Sequence, residues 1–215
     1  MTSNSERGLW LPDPAHRTNL GTFVERARRL DDAAVIRLRE RSPSRLVAWA
    51  ATGFDVLASR VVTGTVRPAD ICAGADALLS GLTESDSRVD PSGYIDPGFP
   101  MDSAWRGALP PESGFVQIDD VPADVVLDLA ERGAEVSKEQ GSQGPPVSLL
   151  DQEVISVTGA GVTIGIPMRC VFALTAMGFV DSPNHTIRVR AIGAWLRIDA
   201  PYGSVYRRRE LLRLV

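Results

Sequence analysis

Apolar residues first recur at helical spacing near the start of the chain, where Leu20, Phe23, Val24, Ala27 and Leu30 form one stripe and Glu25, Arg26, Arg28 and Arg29 fall off it. That pattern predicts an amphipathic helix over 18–30, with Thr18 as its cap. Three short segments rich in Val, Leu, Ile and Trp follow at 35–39, 45–51 and 55–62, separated by Ser42-Pro43-Ser44 and Thr52-Gly53. Strand formers punctuated by turn residues predict an antiparallel meander. Two further helices are predicted over 68–82 and 122–140, because each opens on Pro-Ala-Asp, at Pro68 and at Pro122. Proline at the first helical position wastes no donor, and the aspartate after it faces unpaired N–H groups and the positive end of the dipole. In the third helix Val125, Val126, Leu129 and Val136 share a face and Asp124 and Asp128 another, which reads as a solvated helix face rather than an acid–base pair.

The last third alternates more tightly. Segments 154–157 and 162–166 flank Thr158-Gly-Ala-Gly161 and predict a β-hairpin, after which a helix runs from Pro167 through Met177 and closes at Gly178. Arg169 is its only charge, so the helix is expected to be buried. Ile187, Val189 and Ala191 alternate with Arg188 and Arg190, whereas Leu196 and Ile198 alternate with Arg197 and Asp199. The inward parity shifts across Gly193, where a bulge or bend is predicted, and Pro201-Tyr202-Gly203 turns the chain into a final strand over 205–209.

These elements make an α+β protein of antiparallel hairpins, a meander and packed helices, arranged as two hairpin-plus-helix lobes at 1–82 and 112–215. The Pro-, Gly- and Asp-rich stretch 83–111 between them is long for a connection and reads as a linker or a functional loop. Its aromatics Tyr94, Phe99 and Trp105 are expected to pin it to the body or to line a pocket. Asp90, Asp96 and Asp102 recur at even spacing without the pattern of a calcium loop, so no metal site is assigned. Segments 55–82 and 153–179 share an order of strand, turn, strand and Pro-started helix, but with poor residue identity; two ordinary hairpin-plus-helix units explain them better than a duplication.

Composition narrows the functional classes. Of 23 basic residues only Lys138 is lysine, an arginine bias typical of GC-rich genomes, which leaves almost no amine for Schiff-base chemistry. The net charge of −4 hides an acidic middle between basic ends: +3 over 1–60, −12 over 61–165 and +5 over 166–215. No run approaches the roughly 20 apolar residues of a membrane span, and the first residues lack a signal-type apolar run, so a cytoplasmic protein is expected. Cys72 and Cys170 lie in separate predicted helices and read as core thiols. There is no phosphate-binding GxxxxGK[ST], no GxSxG and no HExxH; His16 and His185 are the only imidazoles. No catalytic residue, cofactor or metal is assigned.

The stretches Leu11-Pro-Asp-Pro-Ala-His-Arg-Thr-Asn-Leu-Gly, Glu112-Ser-Gly-Phe-Val-Gln with Val121-Pro-Ala-Asp, and Ile166-Pro-Met-Arg-Cys-Val-Phe-Ala-Leu-Thr-Ala-Met-Gly-Phe together resemble an uncharacterised family of actinobacterial cytoplasmic proteins. The resemblance implies no activity. The residues themselves favour a non-catalytic, self-associating interaction module whose partner is a second copy or another protein. Leu211, Leu212, Leu214 and Val215 are costly to leave in water and are the expected interface. Nucleic-acid binding is the alternative, through Arg188, Arg190, Arg197, Arg207, Arg208 and Arg209. An enzyme of unrecognised type is a third reading, built on the aromatic loop with Asp96, Asp102, Asp119 and Asp120.

Overall fold

A computed structural model describes residues 7–87, 92–139 and 144–209. The chain divides into two compact units, the first running through Ala51 and resuming over Ser59–Ala108, the second taking Thr52–Ala58 and the chain from Leu109 onward.

The first unit contains β1 (Gly8–Trp10), α1 (Pro14–Leu30), β2 (Val35–Ser42), β3 (Arg45–Ala51), most of β4 (Leu57–Thr63), β5 (Thr65–Arg67), β6 (Asp70–Gly74), α2 (Ala75–Ser87) and β7 (Tyr94–Ile95). Strands β6, β2, β3 and β4 lie side by side in that order, and β1 sits between β5 and β7 in a small antiparallel sheet. Helix α1 starts four residues before the predicted cap, because Asp13 accepts the Ala15 N–H at 2.8 Å and Pro14 takes the first helical position. Leu20, Phe23, Val24 and Ala27 are buried, as the stripe requires, and α1 packs on α2.

The helix expected over 68–82 is a strand in its first part. Ile71, Cys72 and Ala73 are buried in succession, and a strand covered on both faces carries no alternation to betray it. Asp70 caps no helix; it takes a two-point bond from Arg37 on neighbouring β2, at 2.8 and 2.7 Å. The described part of 83–108 falls in this first unit, and 109–111 in the second. Helix α2 continues to Ser87, and the loop after β7 closes the outer edge of β6. There the Met101 N–H donates to the Cys72 carbonyl at 3.0 Å, the Cys72 N–H to Asp102 at 3.2 Å, and Arg7 to the same carbonyl at 2.7 Å. A sheet edge satisfied in this way is unavailable to another strand.

The second unit contains β8 (Val116–Pro122), α3 (Ala123–Glu139), a single turn α4 (Val147–Leu150), β9 (Glu153–Gly159), β10 (Val162–Pro167), α5 (Met168–Ala176), β11 (Thr186–Ile192), β12 (Trp195–Ala200) and β13 (Gly203–Arg208). Strands β13, β12, β11 and β8 form an antiparallel run, and β9 with β10 the predicted hairpin. Ala160 and Gly161 turn that hairpin with φ of 49° and 76°, the left-handed pair that a two-residue turn demands. Gly193 is not a bulge inside one strand. It opens the two-residue turn between β11 and β12, where Ile192 faces Trp195, and the reversal of direction accounts for the parity shift. Helix α5 is buried from Met168 to Leu174 and packs on α3. A void of about 10 Å³ lies in this aliphatic core among Val121, Val126, Ile166, Leu174, Val189 and Ile198.

One charge is inside it. Arg169 is 7% exposed in the first turn of α5, where the helix dipole disfavours a cation. Its guanidinium donates to Asp151 and, at 2.7 Å, to the Phe54 carbonyl, with Asp55 at 3.7 Å. Phe54 also lies against Phe172, ring centroids 6.1 Å apart. Arg169 thereby holds Thr52–Ala58, the piece of chain that the second unit takes from between β3 and β4. Arg169→Ala is expected to cost about 2–3 kcal/mol, because it removes charged hydrogen bonds to the Phe54 carbonyl and to half-exposed Asp151 and leaves a gap in the core. Urea denaturation reads the loss, and amide exchange over 52–58 should accelerate more than exchange in α1; an unchanged midpoint contradicts this role.

Candidate functional site

The strands of the second unit have two unlike faces. Ile187, Val189, Ala191, Leu196, Ile198 and Val205 are buried toward the helices. The opposite face carries cross-strand rows set by the register: Gln117, Arg190, Arg197 and Tyr206 in one, Asp120, Arg188, Asp199 and Ser204 in the next. Asp199 is the hub. It accepts from Arg197 Nε at 2.7 Å and from the Ser204 hydroxyl at 2.5 Å, and Arg190 Nε lies 3.3 Å from it. The Arg197 guanidinium stands between two rings, 5.8 Å from the centroid of Phe115 and 5.5 Å from that of Tyr206. Arg188 lies 3.5 Å from Asp120. At the end of the face Ile192 and Trp195 are half-buried, and Arg208, opposite Trp195, is exposed.

Four of the six arginines singled out from the sequence, Arg188, Arg190, Arg197 and Arg208, therefore share a face with two carboxylates. Arg207 points the other way and lies 3.5 Å from Asp151, and Arg209 donates to the Gly193 carbonyl at 2.7 Å. Sequence reasoning missed Phe115, Ile192 and Trp195 as members of this face, although alternation places Ile192 and Trp195 with the arginines once Gly193 is recognised as a turn. The result is a positively charged surface with flat apolar patches, suited to carboxylates and to an aromatic side chain.

The three loop aromatics have three different surroundings. Tyr94 lies against Trp10 at 5.6 Å between centroids; Trp105 lies under Arg37 at 5.7 Å and donates its indole N–H to the Gly107 carbonyl at 3.1 Å. Phe99 is 89% exposed. The backbone beneath it is nonetheless fastened: Arg7 donates to the Gly98 carbonyl, Asp96 accepts the Gly98 N–H at 2.9 Å, and Pro100 bridges to Ala73. Gly98, with φ of 76°, sits so close to α2 that a Cβ there would meet Ala77 at 2.6 Å. Exposed Asp76, Asp96 and Asp102 therefore accompany the ring.

Asp96, Asp102, Asp119 and Asp120 are all exposed, and the first two serve as loop caps. His16 is half-buried in α1, and His185 Nδ1 lies 3.4 Å from Asp181. Leu211, Leu212, Leu214 and Val215 lie outside the described residues. Among the described residues no helix is long and apolar enough to cross a membrane. Cys72 and Cys170 are free and buried; Cys170 lies in α5 as expected, whereas Cys72 lies in strand β6 rather than in a helix. Burial, aided by the Asp102 carboxylate, pushes the Cys72 thiol up to about 11, and burial pushes that of Cys170 up to about 12.

Comparison with known proteins breaks the chain near residue 108, as the structure does apart from Thr52–Ala58. Residues 4–107 match a domain of unknown function, DUF8010, and residues 110–212 match a second, DUF8185. No curated protein matches. Solved structures with a similar fold include the DNA polymerase sliding clamp of Bacillus subtilis, at 10% identity and a TM-score of 0.57, covering 99% of this chain and 66% of that one. The Caulobacter crescentus beta sliding clamp is similar at 11% identity and a TM-score of 0.59, over 94% of this chain and 65% of that one. The beta subunit of the Streptococcus pyogenes DNA polymerase is similar at 10% identity and a TM-score of 0.56, over 94% and 64%. The chain thus spans about two thirds of the length of these proteins, and at such identities the likeness is one of fold.

Both thiols are expected to stay neutral at pH 8, since that lies well below about 11 and about 12. A thiol reagent should label the native protein roughly a hundredfold more slowly than the urea-unfolded chain; fast labelling of either cysteine in the native protein contradicts their placement.

Proposed function

We propose that this chain is a non-catalytic interaction module of sliding-clamp-like fold that works by presenting surfaces and that associates with itself. The observation that carries the reading is the likeness of fold, which extends over nearly the whole chain and both of its units. The chemistry agrees with it. The residues that stand out are an exposed aromatic on a fastened loop and an arginine face with half-buried aromatics, features that recognise protein surfaces.

The relatives in fold are DNA polymerase clamps, which keeps a second reading, DNA binding, in view. Charge argues against it as the main role. Helix α1 carries +3, but α2 and α3 carry −3 each, and the chain as a whole −4, whereas a surface that displaces counterions from phosphates must be basic. Protein contact is the better use of these faces.

Light scattering of the full chain at tens of micromolar tests the proposal, with the mass of two or more chains expected. A single-chain mass across that range overturns self-association, and an affinity for duplex DNA that falls steeply with salt would move the balance to the second reading.

A further inference from the structure

We propose that the arginine face of the second unit receives an extended acidic segment of another protein, one that carries an apolar residue two positions from a carboxylate. This rests on the interaction-module reading and names the chemistry of the partner.

Strand register makes the face a grid across β11, β12 and β13. Ile192, Trp195 and Arg208 form the row next to the Gly193 turn, Arg190, Arg197 and Tyr206 the second, and Arg188, Asp199 and Ser204 the third. One end of the grid is therefore apolar and its middle cationic. Successive rows are two residues apart along each strand, which is roughly 7 Å, and that is also the side-chain repeat of an extended ligand. A segment lying along the strands can seat an apolar side chain on Ile192 and Trp195, with a carboxylate two residues on at Arg190 and Arg197.

The arginines have donors to give. Arg188, Arg190 and Arg197 each approach a carboxylate of the face through Nε, at 3.5, 3.3 and 2.7 Å. Among the described residues none of their Nη groups makes a hydrogen bond. The two carboxylates, by contrast, are also answered by neutral donors, Asp199 by the Ser204 hydroxyl and Asp120 by the Gln117 amide at 3.1 Å. Phe115 and Tyr206 flank the Arg197 guanidinium, so its fork is oriented before a carboxylate arrives and little is left to order on binding. Four arginines stand against Asp120 and Asp199 on this face. Exposed Asp119 lies opposite inward-facing Val189 and exposed Glu112 precedes Phe115; with Arg209 at the Gly193 turn, arginine is still in excess. A surface of this sign favours an acidic partner and disfavours a basic one.

The probe is a fluorescein-labelled peptide, Ser-Phe-Ser-Glu-Ser-Glu-Ser, titrated with the full chain at physiological salt and followed by anisotropy. Arg208→Glu and Arg190→Gln should each weaken binding by roughly tenfold or more. Arg132→Glu, a charge reversal on exposed α3 at the helical side of the same unit, should leave it within about twofold, since distant exposed charges are screened. Circular dichroism confirms that each variant stays folded. Glutamine in place of both glutamates of the probe should abolish binding. An unmutated chain that does not bind the probe overturns this inference, and light scattering of the same sample decides separately whether self-association stands. Equal loss in Arg132→Glu shows a general charge effect and overturns the site. A single-stranded oligonucleotide of matching charge that binds more tightly, and is lost in the same variants, gives the face to nucleic acid and overturns it. Probe that dissociates self-associated chains as it binds gives the face to a second copy and overturns it as well. A monomeric chain that binds the probe sustains this inference and overturns self-association alone.

Discussion

A buried guanidinium is where the second unit is fastened. Arg169 enters an otherwise aliphatic core, where an unpaired charge would be prohibitive, and is tolerated because Asp151 neutralises it and the Phe54 carbonyl takes a further donor. Three separate stretches of chain meet there: α5, the turn before β9, and Thr52–Ala58. Asp151 is also 3.5 Å from Arg207 on β13. That ion pair directs Arg207 to the helical side, and strand alternation then turns Tyr206 and Arg208 to the opposite face.

In the first unit the corresponding constraint is a sheet edge. The N–H and C=O of Cys72 would be open at the rim of β6, and the 98–102 loop satisfies both, with Arg7 adding a second donor. Closing the edge blocks strand addition there. The same hydrogen bonds hold Phe99 in water.

Much of this was legible in the chain. Helix α1, helix α3, the hairpin of β9 and β10, and the buried helix α5 follow from periodicity and turn residues, because each has one clear face or one clear turn. Strand β6 did not, since three successive buried residues carry no period, and Pro-Ala-Asp imitates a helix start when its aspartate is in fact paired across to Arg37. The six arginines were visible, but their division between two faces depends on the turn at Gly193 and on the register of β13. Phe99 was visible too; its place in solvent goes with a loop held locally by Asp96 and, from far away in sequence, by Arg7.

Protein contact through the arginine face of the second unit is the central claim, and salt tests it directly. If that face makes the contact, the affinity of the full chain for the acidic peptide, followed by fluorescence anisotropy, should fall steadily as sodium chloride is raised, because exposed charges are screened over about 10 Å at 0.1 M salt and about 3 Å at 1 M. Association that is unchanged or strengthened over that range would contradict the account, since burial of apolar surface alone behaves that way.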